Sequence, residues 1–422
     1  MTGFSRRTVL KATGAAALSA MLGPSMWRSV LAGGPEVTTG SRYGPLRPPD
    51  ANGIRLPAGF TSRVVARTGD PVGSTAHLWH AAPDGGGCWS APGGGWRYIS
   101  NAEVGGGGGG VSVIEFDRRA RIVDAYTILS GTNRNCAGGF TPSGNWLSCE
   151  ESCAGGHVWE CDPRAAGQGT RRALLGSFNH EAAAVDPATG IVYLTEDDPA
   201  GRLYRFVPTT AGDLTSGVLQ AAEVGGDPSA GPAPILWRTT SSDAPDRSPN
   251  TTPFDGGEGE WIHDGHMLFT TKGDRRIWEF DTAAQTVEVL HDCVLHPEQP
   301  LDAVDNIVVH HRTGDIFVAE DGGNMELCSI ERRADGSRRV GAFLRIEGQD
   351  ASEVTGPGFT PDGRRLYVSS QRGSDGRGIT YEITGRFQPL DLDDGGITPR
   401  RPAGRVGNSA SIRSLPPAWR LR

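Results

Sequence analysis

Six places in the sequence carry charged or strongly polar side chains at matched positions: Glu103, Glu150-Glu151, Glu196-Asp197-Asp198, Lys272 with Asp274, Glu320-Asp321, and Gln371. Each closes an alternating apolar stretch, and most of the set is acidic. One such acid alone reads as a solvated loop residue. Several brought to one point repel each other unless cations neutralise them. Oxygen-rich sites with many carboxylates suit calcium, a hard cation with a high coordination number. The chemistry expected of this set is therefore metal binding, with calcium as the ion.

A second series of polar groups opens the same stretches. It consists of His180-Glu181, Gly257-Glu258-Gly259-Glu260, Asp305-Asn306, and Ser352-Glu353-Val354-Thr355-Gly356. Asn133-Arg134-Asn135-Cys136-Ala137-Gly138-Gly139 adds a cysteine in a polar, glycine-rich loop. A buried cysteine is by default a small apolar group. Here Arg134 next door is expected to favour the thiolate, and the glycines allow a ligand to come close.

An internal repeat supplies the elements that must position these groups. The segments WSAPGGGWRYISNAE, FTPSGNWLSCEE, VDPATGIVYLTEDD, WIHDGHMLFTTKGD, VHHRTGDIFVAED and FTPDGRRLYVSSQ share one pattern, a turn, an alternating strand and a polar end. Their turn glycines fall at 95, 144, 190, 265, 314 and 363, close to one four-stranded blade apart, with one long gap. Further alternating strands, VSVIEFD, HVWECD, RLYRFV, RIWEFD and ITYEIT, lie between them. The expected fold is all-β, a β-propeller of six blades over residues 61–390. The Ser-, Asp- and Pro-containing stretch 217–254 reads as an inserted surface loop, 33–60 as an N-terminal extension and 391–422 as a tail. High glycine (61) and proline (29) suit many short strands.

Ser5-Arg6-Arg7-Thr8-Val9-Leu10-Lys11 followed by an apolar run to Leu22 is a twin-arginine export signature. Val30-Leu31-Ala32 offers a cleavage site, so residues 1–32 read as a signal peptide, with no cysteine after it for a lipid anchor. The expectation is a protein handled by the twin-arginine machinery, periplasmic or extracellular, monomeric and without a stable membrane anchor. A net charge of −8 with scattered basic residues excludes a nucleic-acid stripe. Seven cysteines leave at least one thiol unpaired.

Taken in series, Asn101-x-Glu103, Asn135-Cys136-Ala137-Gly138-Gly139-x-Thr141-Pro142, Cys149-Glu150-Glu151, His180-Glu181-Ala182, Glu196-Asp197-Asp198, Asp305-Asn306, Glu320-Asp321-Gly322 and Glu353-Val354-Thr355-Gly356-Pro357 resemble the PhoX-like alkaline phosphatases. The resemblance runs from about residue 45 to 386. It implies a twin-arginine-exported propeller with an iron–calcium cofactor that releases phosphate from small phosphate esters. It implies Cys136 as ligand of a di-iron pair. The other metal ligands would come from Glu103, Glu150, Glu151, Glu181, Asp197, Asp198, Glu258, Glu320 and Glu353. The sequence departs from the family at Asn101-Ala102-Glu103, where the phosphatases usually carry histidine in the middle. Arg134, Arg345 and Arg372 are candidates for the phosphate-binding arginine, and Lys272 for a further cationic donor. Two other readings stand beside this one: a calcium-dependent lactonase of the gluconolactonase type, resting on Glu258-Gly259, Asp305-Asn306 and Asp315 to Glu320, and a non-enzymatic propeller stapled by calcium.

Overall fold

The computed structural model describes residues 37–387 apart from 153, 154, 244, 246, 248, 249 and 334. The expected signal peptide and the tail 391–422 lie outside the described residues. Within them the chain is almost wholly strand and turn, with short 3-10 turns as its helical content.

The period-two patterns do more than form strands. Inner strands are apolar on both sides, and their alternate residues enter different layers. Along Trp146–Glu150, Trp146 packs with Ile99, Val113 and Leu129, whereas Leu147 and Cys149 pack with Val158 and Leu194. Along Val192–Glu196, Val192 and Leu194 share that second layer while Tyr193 packs with Phe269 and Phe280. The pattern continues with Leu268 against Val318, Phe317 against Val368, and Tyr367 against Tyr98 and Phe116. Apolar seams therefore separate successive sheets, and the last seam returns to the first sheet. Sheets stacked face to face around an axis give a propeller-like all-β arrangement.

Antiparallel meanders begin at Pro83–Ala91, Asn135–Phe140, His180–Val185, Gly257–His263, Val304–Val309 and Val354–Phe359. These first strands touch one another in sequence order, and the last touches the first, so they surround the axis. The final sheet borrows Thr61–Arg67 from early in the chain, paired to Ile379–Thr384. Val37–Thr39 and Ile54–Arg55, within the N-terminal extension, both pair with Arg338–Ile346 on the outside.

The stretch 217–254 is not simply a loop, which corrects the expectation. Gly217–Val224 is the outer strand of the third meander, with Leu219, Ala221 and Ala222 buried. Ala233–Thr239 pairs with it on one side and with Thr286–Asp292 on the other, so two meanders become one nine-stranded sheet. The polar residues that suggest a loop are concentrated at 225–232 and beyond 239.

Candidate metal centre

Each of the six first strands is bulged, five at the same place and the sixth one residue later. Pairing to the second strand breaks after Pro83, Asn135, His180, Gly257, Val304 and Thr355, and resumes at Gly86, Gly138, Ala183, Glu260, Ile307 and Gly358. A bulge frees one residue from the pleat and re-aims its side chain. In five of the strands the freed residue is Asp84, Cys136, Glu181, Glu258 or Asp305. The strands crowd here. A Cβ on Gly85 would lie 2.4 Å from Ala137 Cα, and one on Gly259 would lie 2.7 Å from Asn306 Cα.

The second strands deliver a matching set. The backbone N–H groups of Glu103, Glu151, Asp197, Lys272, Asp321 and Gln371 donate to the carbonyls of Ala82, Arg134, Asn179, Gly256, Ala303 and Glu353 at 2.8–3.2 Å. Side chains of one sheet then hold the bulge of the next: Asn101 Nδ2 donates to Cys136 O (3.1 Å), Thr195 Oγ1 to Glu258 O (2.6 Å) and Thr270 Oγ1 to Asp305 O (2.5 Å). Register and inter-sheet bonding together converge two residues per sheet on one end of the channel.

The result is an open cavity of about 210 Å³ lined by Asp84, Glu103, Cys136, Glu151, Glu181, Glu258, Lys272, Asp305, Asp321, Glu353, Gln371 and Arg372. Cys136, Glu151 and Glu181 each offer a ligand atom within 4.8 Å of the others, as do Glu181, Glu258 and Asp305, so Glu181 is common to both groups. Gln371 donates to Asp84 Oδ2 at 2.5 Å, and Cys136 Sγ lies 3.5 Å from the same oxygen.

Burial, then mutual repulsion, raises the proton affinity of six of these acids. Burial and the neighbouring Glu258 and Asp305 hold Glu181 well above the ordinary range. Asp84 and Glu258 are raised in the same way. Glu151 is pushed up to about 7 by burial and Asp197, Asp305 to about 7 by burial and Asp321, and Glu353 to about 9 by burial and Asp305. The Cys136 thiol is pushed up by burial and by Asp84, Glu181 and Glu151. This corrects the thiolate expectation: the groups that act on the sulfur are carboxylates, and exposed Arg134 has its Nε beside the Gly105 loop instead. Glu181, 1% exposed, leaves Oε1 with no hydrogen-bond partner. Buried donors that repel one another in their charged forms, with Glu258 Oε1 likewise without a hydrogen bond, fit multivalent cations.

Of the sequence-derived ligands, the fold brings Glu103, Cys136, Glu151, Glu181, Glu258 and Glu353 to the mouth. Asp197 joins at its edge through Lys272. Three others are spent elsewhere. Glu150 accepts the N–H groups of Asn133 (2.9 Å) and His157 (3.2 Å). Glu320 accepts those of Asp302 (2.9 Å) and Glu326 (3.3 Å), and Asp198 pairs with Arg247. Each ties down a loop, and none lines the cavity. Of the cationic candidates, Lys272 and Arg372 line the cavity, whereas Arg134 does not and Arg345 sits on an outer strand near Glu326 and Glu347. Asp315, part of the lactonase reading, is bound to Arg42 and Tyr43 away from the channel.

Asp84, Asp305, Asp321 and Gln371 are mouth residues absent from the expected ligand set. Asp305, Asp321 and Gln371 stood in the two polar series already. Asp84 carried a usable signal: Pro83-Asp84-Gly85-Gly86-Gly87 repeats the polar-then-small order of Asn135-Cys136-Ala137-Gly138-Gly139.

Fold and mouth together define a propeller-like protein with a polyacidic channel entrance, containing one thiol and two groups of side chains that could hold metal ions. Residues 99–288 match the family model described as alkaline phosphatase PhoX. Among solved structures it is similar to Pseudomonas fluorescens PhoX in complex with vanadate, a transition state analogue. The two are 17% identical, the TM-score is 0.65, and the match covers 81% of this chain and 97% of that one. A gluconolactonase from Xanthomonas campestris matches at 15% identity and a TM-score of 0.43, over 81% and 98% of the two chains. No curated protein matches the sequence.

Proposed function

We propose that the mouth is the active site of a metal-dependent phosphomonoesterase acting on small phosphate esters outside the cytoplasm. The observation that carries the reading is the pair of ligand groups sharing Glu181, beside a guanidinium that faces the same cavity. Glu151, Glu181, Glu258 and Asp305 would hold calcium, with Asp84, Asp321 and Glu353 able to complete its oxygen shell. Cys136 is the one soft donor and would go to iron, as the family resemblance implies. When bound, such cations polarise a phosphoryl oxygen and offset charge that grows in the transition state.

The chain's own residues do the rest. Arg372 is clamped by Glu103 and Glu353, which leaves further N–H groups of its planar fork for a phosphoryl oxygen. Lys272 adds a second fixed positive charge to the same wall. Burial and mutual repulsion raise the proton affinities of Glu151, Asp305 and Glu353, so cations compete with protons for this donor set and bind better as pH rises. Splitting the nine-stranded sheet at Ala233–Thr239 gives six four-stranded blades, the count we adopt. Arg6-Arg7 supports export of the folded monomer through the twin-arginine route, to the periplasm or beyond.

The test is hydrolysis of p-nitrophenyl phosphate at alkaline pH by protein purified after native export. Turnover abolished by chelation and by vanadate is expected. Lactone hydrolysis without phosphatase turnover would instead establish the lactonase reading.

A further inference from the structure

The second-strand position that carries Glu103, Glu151, Asp197 and Asp321 in other sheets carries Lys272 in the fourth, with the same backbone bond holding it in place. Its Nζ lies 2.8 Å from Asp197 Oδ2, on the preceding sheet, and 2.7 Å from Glu258 Oε1, on its own. Both carboxylates are largely buried, with side chains 12% and 4% exposed. The contact to Asp197 is a directed hydrogen bond. The contact to Glu258 is close but not aligned as one, so the ammonium acts there as a point charge. The stem has a prepared path. Gly256 adopts φ 66°, and a Cβ there would come within 2.9 Å of Lys272 Cγ.

A compact positive charge between two carboxylates from adjacent sheets is the arrangement that a metal ion would otherwise supply. We propose that Lys272 is a resident cation that replaces one hard divalent ion between Asp197 and Glu258. It confines exchangeable metal to the two groups that meet at Glu181. The inference rests on the metal-centre reading given above. Deleting the charge leaves two buried carboxylates facing each other, and calcium is the hard, oxygen-seeking cation suited to reunite them.

The experiment counts calcium per chain by native mass spectrometry in wild type, Lys272→Gln and Lys272→Arg, all purified with calcium present. Lys272→Gln is expected to gain one calcium over wild type and to lose more thermal stability than wild type when chelator is added. Lys272→Arg should keep the wild-type count. The double variant Lys272→Gln with Asp197→Asn should return to that count, because the extra pair is dismantled. An unchanged or lower count in folded Lys272→Gln overturns the proposal. So does an extra calcium retained by the double variant, or a Lys272→Gln chain that cannot fold with calcium while Lys272→Arg does. A wild-type chain holding no metal refutes the metal centre itself, and that failure is distinguished by the wild-type count alone.

Discussion

Stripping the metal should make stability depend on pH in a direction opposite to that of most acidic proteins. In the metal-free chain Glu151 and Asp305 are pushed up to about 7 and Glu353 to about 9. A carboxyl whose folded pKa exceeds its unfolded one binds its proton more tightly when folded. Its contribution is fully present below the unfolded value and is lost as pH rises through the folded one. The window here runs from the ordinary carboxylate range, near 4.5, up to about 9. One pKa unit corresponds to about 1.4 kcal/mol, so Glu151 alone stands for about 3 kcal/mol across that window. For roughly 350 ordered residues the unfolding entropy is about 0.7 kcal/mol/K, and 3 kcal/mol becomes about 4 °C in Tm. Bound calcium removes the repulsion and adds about 3 kcal/mol more at a hundredfold excess over its Kd. Differential scanning calorimetry from pH 5 to pH 9, with calcium or with chelator, should show the chelated Tm falling as pH rises. The gap between the two series should widen by several degrees. A chelated chain equally stable at both ends, or a gap that does not change with pH, would refute the clustered-carboxylate account.

Four further outcomes are expected. Cys136→Ser should abolish the visible absorption expected of an iron–thiolate site and lower phosphatase turnover by orders of magnitude. Cys149→Ser, which puts a hydroxyl in an apolar layer, should cost about 1–2 kcal/mol in urea unfolding and leave absorption and turnover in place. Gly259→Ala forces a methyl group against the Asn306 backbone. It should destabilise the fold by about 1–3 kcal/mol and weaken calcium binding measured by titration calorimetry, since Glu258 is its neighbour. Arg6-Arg7→Lys-Lys should leave precursor in the cytoplasm, as followed by fractionation and blotting; normal export of that variant would remove the localisation argument.

Much of the architecture was legible because each blade repeats a local code. A glycine turn, an alternating strand and a polar end recur closely enough to reveal the sheets without any knowledge of their contacts. What alternation alone does not convey is which of two apolar faces meets which neighbour, as with Trp146 and Leu147 entering different layers. The strand Ala233–Thr239 escaped notice for a related reason. It pairs across two meanders with different halves, residues 235–239 on one side and Ala233 and Pro234 on the other, and a proline at its start does not read as part of a strand.

The site was legible only to within one residue, and the geometry of a strand explains why. Successive side chains point to opposite faces, so in Glu150-Glu151 and Glu320-Asp321 only one acid of each pair can reach the channel. In both cases it is the second, and the first turns back to bind one N–H group from the loop before its hairpin and one from the loop that follows it. Nothing local to either pair distinguishes the two roles, since both are acids at the end of an apolar run. The distinction lies in the amide bonds from Glu151 to Arg134 and from Asp321 to Ala303, which fix where each strand stops relative to its partner. Asp84 depends still more on distant contacts. It reaches the mouth because its strand is bulged, and the adjoining Gly85 leaves no room for a side chain against Ala137 of the next sheet. Ligands delivered by strand ends can thus be read from a repeat, whereas ligands delivered by bulges become readable once the neighbouring sheet is in place.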